Sequence, residues 1–407
     1  MSISSYANDP RFIVNLGLSR IKALLSLLGD PQEKIKVIHI AGTNGKGSVC
    51  AFLSSILSHA GFNIGLFSSP ELVYINERIS IGGVNISDAA LDRLFGKIEE
   101  AVKKMPEKPS PFEIWTAAAY LYFYEEKCDY AIVEVGLGGL EDATNVITKP
   151  VLSVITRISI DHTDHLGNTV SEIARHKCGI IKPGCPVVTI EQDKSAMEVI
   201  SRTALKMDAP LFVAPLFPSA PDGMREKLLT DIDPITSALP GLNQAENASV
   251  SITAAKLLKI DKKHIIYGIG HASHNGRFEV LSSEPFIIFD GAHNEGGAKA
   301  LSDNLSRYFP GERFVFVFAA MRDKAISEML KALSPHAESF VFTTVSGNPR
   351  SATCEELCGE AQKLDISCSY DPDLSNSIKR ALLISKRVII AGSLYLYKNL
   401  PDFADFR

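Results

Sequence analysis

Gly42-Thr43-Asn44-Gly45-Lys46-Gly47-Ser48 gathers three glycines, a lysine and a hydroxyl into seven consecutive residues. Such a run turns successive backbone N–H groups toward one point, and glycine permits the positive φ and close approach that a phosphate oxygen demands. A helix opened by the loop adds the partial positive charge of its N-terminus, and Lys46 adds a whole one. The Ser48 hydroxyl suits a phosphate or its magnesium ion. The chemistry implied is binding of a nucleoside triphosphate, with ATP the expected ligand. The strict pattern GxxxxGK[ST] is not met, because Gly47 separates Lys46 from Ser48.

Further along, Glu134 interrupts the apolar run Ala131-Ile132-Val133-Glu134-Val135 and precedes Gly136-Leu137-Gly138-Gly139. A carboxylate at the end of a strand faces the crevice where α/β sheets bind ligands. Its burial is costly unless it is paired or metal-bound, so a core salt bridge is the competing reading. Asp161-His162-Thr163-Asp164-His165 also follows an apolar run. It could serve magnesium or phosphate, although His162 alone reads more simply as a turn residue. Lys177, by itself, is a lysine at a helix end complementing the dipole. Asp290-Gly291-Ala292-His293-Asn294 offers a second strand-end site, with a helix cap at Asn294 as its plain alternative.

These groups need elements to position them. Apolar spacing predicts a helix from Pro10 to Leu28, a strand over Ile35–Ile40, a helix over Ser48–Ala60 and a strand over Asn63–Ser68. Strand, loop, helix and strand make a βαβ unit. Ile79-Ser80-Ile81 and Val84-Asn85-Ile86 flank Gly82-Gly83 as a hairpin does. Helical periodicity follows over Asp88–Lys104, and Ser110-Pro111-Phe112-Glu113 opens another helix with a capping box and a first-turn proline. Strands of the buried type are expected at Tyr130–Val135, Val151–Thr156 and Val187–Ile190. Leu211–Leu239 reads as irregular, Gln244–Leu258 as a helix, and Tyr267-Gly268-Ile269-Gly270-His271 as an interdomain linker. Beyond it, runs at Phe286–Phe289, Phe314–Phe318, Phe340–Thr344 and Val388–Ala391 alternate with helical segments. The expected architecture is α/β throughout. A P-loop-type, mostly parallel sheet domain (1–271) is followed by a smaller Rossmann-like α/β domain (272–407).

Length and composition agree, since 407 residues at roughly 150 per domain give two or three domains. A net charge of −5 without blocks of like charge argues against a nucleic-acid partner. The apolar runs are too short to span a bilayer, and Met1–Arg11 lacks the order of a signal peptide. Seven scattered cysteines without CxxC spacing read as reduced thiols in a cytoplasm.

The ordered segments together resemble the folylpolyglutamate synthase and dihydrofolate synthase family, a branch of the Mur ligase superfamily. The likeness runs from Leu16-Gly17-Leu18 to Gly392-Ser393-Leu394-Tyr395. It passes through GTNGKGS at Gly42, SSPELVYINERI at Ser68, SPFEIWTAAA at Ser110, EVGLGG at Glu134 and DHTDHLG at Asp161. KCGIIKPG at Lys177, GLNQAENA at Gly241, GRFE at Gly276 and DGAHN at Asp290 continue it.

The resemblance implies roles that spacing alone does not. Asn44, Gly45, Lys46 and Gly47 would hold the ATP phosphates, and Ser69, Glu134 and His162 would ligate magnesium. Lys177 would be the family's carbamylated lysine, helping with a second magnesium ion. Asn247, Arg277 and Asp290 would meet ATP from the side of the second domain, with His293 nearby. The implied catalytic set is therefore Lys46, Glu134, His162 and Lys177. The implied reaction transfers the γ-phosphoryl group of ATP to a pterin-linked carboxylate, and L-glutamate then attacks the acyl phosphate. Dihydropteroate, a reduced folate, or both would be the acceptor, and a monomer is the family's usual state. Leu140 stands where relatives carry Arg, His274-Asn275 where they carry Trp-Pro, and Glu295-Gly296 where they carry Pro-Asp. Two other readings compete. A peptidoglycan-type Mur ligase is disfavoured by the short stretch before Gly42, and a nucleotide-binding module without ligase activity by Glu134, His162 and Lys177.

Overall fold

The computed structural model describes residues 3–7 and 16–403. Contacts divide the chain into two units. The first comprises Met1–Ile158, Asn168–Phe217 and Glu246–Ala272; the second comprises Ser159–Gly167, Pro218–Ala245 and Ser273–Arg407. Both are α/β, and among the described residues no helix is long and apolar enough to cross a membrane.

Eight strands build the sheet of the first unit: β1 (Lys36–Ala41), β2 (Ile64–Phe67), β3 (Ile79–Ile81), β4 (Val84–Asn85), β5 (Tyr130–Glu134), β6 (Leu152–Ile155), β7 (Val187–Ile190) and β8 (Leu211–Ala214). Their order is β4-β3-β2-β5-β1-β6-β7-β8, parallel except for the antiparallel hairpin β3–β4 at one edge. β1 thus lies between β5 and β6, with Ile40 opposite Glu134 on one side and Ala41 opposite Ile155 on the other. The chain leaves β1 in one direction while both neighbours were added later, and crevices of α/β sheets form at such points. Helices cover both faces, as the near-continuous burial of β1, β6 and β7 requires.

One of these helices, Pro111–Glu125, carries the expected capping box. Ser110 Oγ accepts from the Glu113 N–H, and Glu113 accepts from the Ser110 N–H at 2.6 Å. The first predicted helix is shorter than expected. It spans Ser19–Leu27, Gly17 and Leu18 precede it outside the helix, and residues 10–15 lie outside the described residues. The stretch 267–271, expected as a linker, is the last part of the helix Lys262–His271. Its glycine is explained by packing. A methyl group at Gly268 would lie 2.5 Å from the backbone of Ile56 in the helix Lys46–His59, so only glycine permits this close approach.

The second unit holds two sheets. β9 (Ser219–Asp222), β10 (Arg225–Leu229) and β11 (Pro234–Thr236) form an antiparallel meander within the stretch expected to be irregular. Alternation in β10 is genuine, with Glu226 and Leu228 turned inward. It escapes a hydrophobicity reading because one inward residue is a carboxylate. Glu226 is fully buried and bonded to Arg307, Ser219 and Tyr308. β12 (Glu279–Ser283), β13 (Phe286–Asp290), β14 (Phe314–Phe318), β15 (Ala337–Phe342), β16 (Cys368–Tyr370) and β17 (Arg387–Ala391) make the larger sheet. Its order is β12-β13-β17-β14-β15-β16, and only β12 is antiparallel. Phe314, Phe316, Phe318, Phe340 and Phe342 fill its core.

Candidate active site

The phosphate loop follows β1 and opens the helix Lys46–His59. Gly42 and Gly45 take φ of 152° and 91°. A Cβ at Gly42 would lie 1.8 Å from Thr156 Oγ1, and one at Gly45 would lie 2.3 Å from Asn247 Oδ1. The loop is thus pressed from two sides, and glycine is sterically required at both positions. Its base is closed by hydrogen bonds. The N–H groups of Thr43 and Asn44 donate to the Arg157 carbonyl at 2.9 and 3.2 Å, and Thr156 Oγ1 donates to the Asn44 carbonyl at 2.8 Å. The Arg157 guanidinium is held by Glu246 through two contacts, of 2.8 and 2.7 Å. Gly47 and Ser48 lie in the first turn, with Ser48 buried.

Glu134 ends β5, and its side chain is 6% exposed. Oε1 lies 3.8 Å from Lys46 Nζ, and Oε2 accepts the Ser69 N–H at 3.4 Å. The strand register therefore brings Lys46, Glu134 and Ser69 together in the first unit. Carboxylate and hydroxyl oxygens are the hard donors that magnesium prefers, so Ser69 and Glu134 fit that ion.

Lys177 is the last residue of the helix Val170–Lys177, as a dipole-complementing lysine would be. That reading is incomplete, because the residue is buried and Nζ donates to the Gly42 carbonyl at 2.8 Å. The side chain thus reaches the base of the phosphate loop. A carbamate on Nζ would keep an N–H for Gly42 while adding two acceptor oxygens, so the residue fits that modification. The nearby loop 136–144 is clamped by Asp142, which accepts from the N–H groups of Leu137 and Thr144 and from the Thr144 hydroxyl. Burial raises the Asp142 carboxyl against the pull of these hydrogen bonds. Leu140, in that loop, is 49% exposed and donates its N–H to the His176 carbonyl.

Asn247 belongs to the first unit, beside Gly45. The other expected residues lie in the second. His162 caps the short helix Thr163–Leu166 in the left-handed conformation, with φ of 52°, and its N–H donates to Asp161. Asp290 ends β13 and accepts from the N–H groups of Phe278 and Ala292 at 2.9 and 2.8 Å. Burial raises its carboxyl, while Arg277 and those N–H groups oppose the rise. Arg277 donates to the Gly291 carbonyl, as does His293 through Nδ1 at 2.8 Å. The His293 ring is thereby fixed with Nε2 as its acceptor, and dense packing favours its neutral form. Asn294 caps the helix Glu295–Tyr308 by accepting from Gly297, and its amide donates to Asp161.

Lys324 escaped the sequence reading. Its side chain is 6% exposed and contacts the Asp161 carboxylate at 2.5 Å. Burial alone would raise the Asp161 carboxyl, but His162 and the hydrogen-bonded Lys324 ammonium hold it well below the usual carboxylate range. Lys324 lies in Met321-Arg322-Asp323-Lys324, an irregular stretch after β14. A strand-end lysine was the only signal available.

Residues 40–209 match the Mur ligase middle domain, and residues 276–394 match the Mur ligase glutamate ligase domain. Fold and site thus define a ligase of the Mur type. The chain is 37% identical over 414 residues to the dihydrofolate synthase/folylpolyglutamate synthase of Bacillus subtilis, covering 96% of this chain and 95% of that protein. It resembles Mycobacterium tuberculosis folylpolyglutamate synthase complexed with ADP and AMPPCP at a TM-score of 0.87 and 32% identity, over 94% of each chain. Against E. coli FolC in complex with DHPP and ADP the TM-score is 0.89 at 27% identity, covering 100% of this chain and 98% of that one. The chain belongs to the dihydrofolate synthase/folylpolyglutamate synthase family.

Proposed function

We propose that this ligase uses ATP to join L-glutamate to dihydropteroate and to reduced, glutamylated folates, releasing ADP and phosphate. The observation that carries the reading is the grouping of Lys46, Glu134, Ser69 and Lys177 around the Gly42–Ser48 loop. A carboxylate is a poor electrophile, so amide formation needs activation. The γ-phosphoryl group passes to the acceptor carboxylate, the glutamate amine attacks the acyl phosphate, and phosphate leaves. Positioning and charge neutralisation do most of this work.

Asn44, Gly45, Lys46 and Gly47 cradle the phosphates, and Ser48 supplies a hydroxyl. Ser69, Glu134 and His162 are the ligands offered to magnesium, which would supply charge neutralisation on the phosphates. A carbamate on Lys177 would add acceptor oxygens for a second ion. Asn247, Arg277, Asp290 and His293 complete the nucleotide contacts. Residues 1–271, apart from Ser159–Gly167 and Pro218–Ala245, which pack within the second unit, act as the ATP-binding domain, and 272–407 as the glutamate-ligase domain. The enzyme works as a monomer in the cytoplasm, where ATP and reduced folates are found.

The test is incubation with ATP and L-glutamate plus either dihydropteroate or a reduced folate, following ADP and product mass. Each acceptor should gain one glutamate residue per ADP formed. Absence of glutamate-dependent ADP release with both acceptors would overturn the reading.

A further inference from the structure

A cluster of histidines and a tyrosine lies in the first unit away from the phosphate loop and its partners. It sits where the C-terminal end of the helix Lys46–His59 meets the helix Lys262–His271. His59 Nδ1 lies 3.1 Å from His264 Nδ1. Tyr267 stacks on His59, with centroids 3.7 Å apart and planes at 12°, and on His271 at 3.9 Å and 6°. The His271 Nδ1 is engaged by the Tyr267 carbonyl at 2.8 Å, so that ring is tied to its own helix. His59 is exposed, and His264 is half-buried.

Two imidazole nitrogens at this distance can share a proton or converge on one cation. Bonds of about 2.0–2.1 Å to one ion would place the nitrogens about 2.9 Å apart at a right angle and about 3.4 Å apart at a tetrahedral angle. The observed 3.1 Å falls between these limits. We propose that His59 and His264 form a surface site for one divalent transition-metal ion of the imidazole-preferring class (Zn²⁺, Ni²⁺ or Cu²⁺), completed by water. The ion would clasp the helix that carries the phosphate loop to the last helix of the first unit.

The proton balance is simple. In the metal-free pair one Nδ1–H donates to the other ring's lone pair. Binding needs both lone pairs, so the donor ring transfers its proton to its own Nε2 through solvent, with no net release. Desolvation, then His264, His271 and Lys263, disfavour the charged form of His59. Stacking against Tyr267 holds the His59 ring in place. Magnesium, which prefers oxygen ligands, does not compete for such a pair, so the site is chemically separate from the reaction's own ion.

The experiment uses the untagged full-length chain, titrated calorimetrically with NiCl₂ in a non-chelating buffer, with thermal unfolding as the second readout. With saturating Mg²⁺ present throughout to fill the site beside the phosphate loop, wild type should bind one equivalent of Ni²⁺, and its unfolding midpoint should rise further as Ni²⁺ is added. His59→Gln and His264→Gln should each weaken binding at least tenfold and abolish the rise, whereas His271→Gln should change neither. Co²⁺ spectra should lack a thiolate charge-transfer band. The proposal is overturned by the absence of saturable binding, by equal binding in the doubly substituted protein, or by a thiolate band placing the metal on cysteine.

Discussion

A methyl group added at Gly45 would meet Asn247 Oδ1 at 2.3 Å, on a backbone with φ of 91°. Gly45→Ala therefore both strains the loop and displaces the side chain beside it. Misplacement of reacting groups by about 1 Å costs on the order of a hundredfold, so kcat/KM for ATP should fall by about that factor. Gly61→Ala is the control, because Gly61 has φ of 89° but nothing within 4 Å of an added Cβ. It should cost stability alone, about 1–3 kcal/mol, with ATP kinetics unchanged. His39 carries a pH prediction. It is fully buried on β1 and contacts Thr144 Oγ1 at 2.9 Å; since that hydroxyl donates to Asp142, His39 Nε2 must be the donor. Burial, then Lys182, pushes its pKa down to about 3. The unfolded chain takes up this proton near pH 6.5 and the folded chain does not. Stability is therefore lost as pH falls from about 6.5, by up to about 1.4 kcal/mol per unit. Denaturant midpoints at pH 7 and pH 5 should differ accordingly, and the difference should shrink in His39→Gln. Lys177 shows where reading single residues stops. Its helix-end position was legible, but its contact with Gly42 spans 135 residues of sequence and leaves no local trace.

Strands and helices were legible wherever periodicity carried them. β1, β5, β6 and β7 are short apolar runs, and the capping box at Ser110 marks its helix without ambiguity. Two failures have one physical origin, a residue whose local meaning is reversed by a distant partner. Glu226 looks like a surface residue until Arg307 pairs with it, and Gly268 looks like a breaker until Ile56 packs against it. The second case is testable. Gly268→Ala overpacks the helix contact and should destabilise by about 1–3 kcal/mol. Gly96→Ala, in the exposed interior of the helix Asp88–Val102 with nothing within 4 Å of the new Cβ, should instead stabilise by up to about 1 kcal/mol. Denaturant unfolding of the two variants should give opposite signs.

On the scale of the whole molecule, covalent order and packing part company at one place. Ser159–Gly167 follows β6 of the first unit, yet packs within the second, where Asp161 is held by Lys324 and Asn294. Lys324→Ala would leave that carboxylate buried without its cation. Breaking such a pair costs about 3–5 kcal/mol, readable in denaturant unfolding, and Lys324→Arg should recover part of it. The proposed reaction requires that a phosphoryl group from ATP reach the acceptor carboxylate before the glutamate amine attacks. Oxygen-18 in the acceptor carboxylate follows that event directly. With labelled dihydropteroate, ATP and L-glutamate, acyl-phosphate chemistry predicts one labelled oxygen in the released phosphate for every amide formed, and ADP as the nucleotide product. Unlabelled phosphate, or label appearing in AMP, would contradict it.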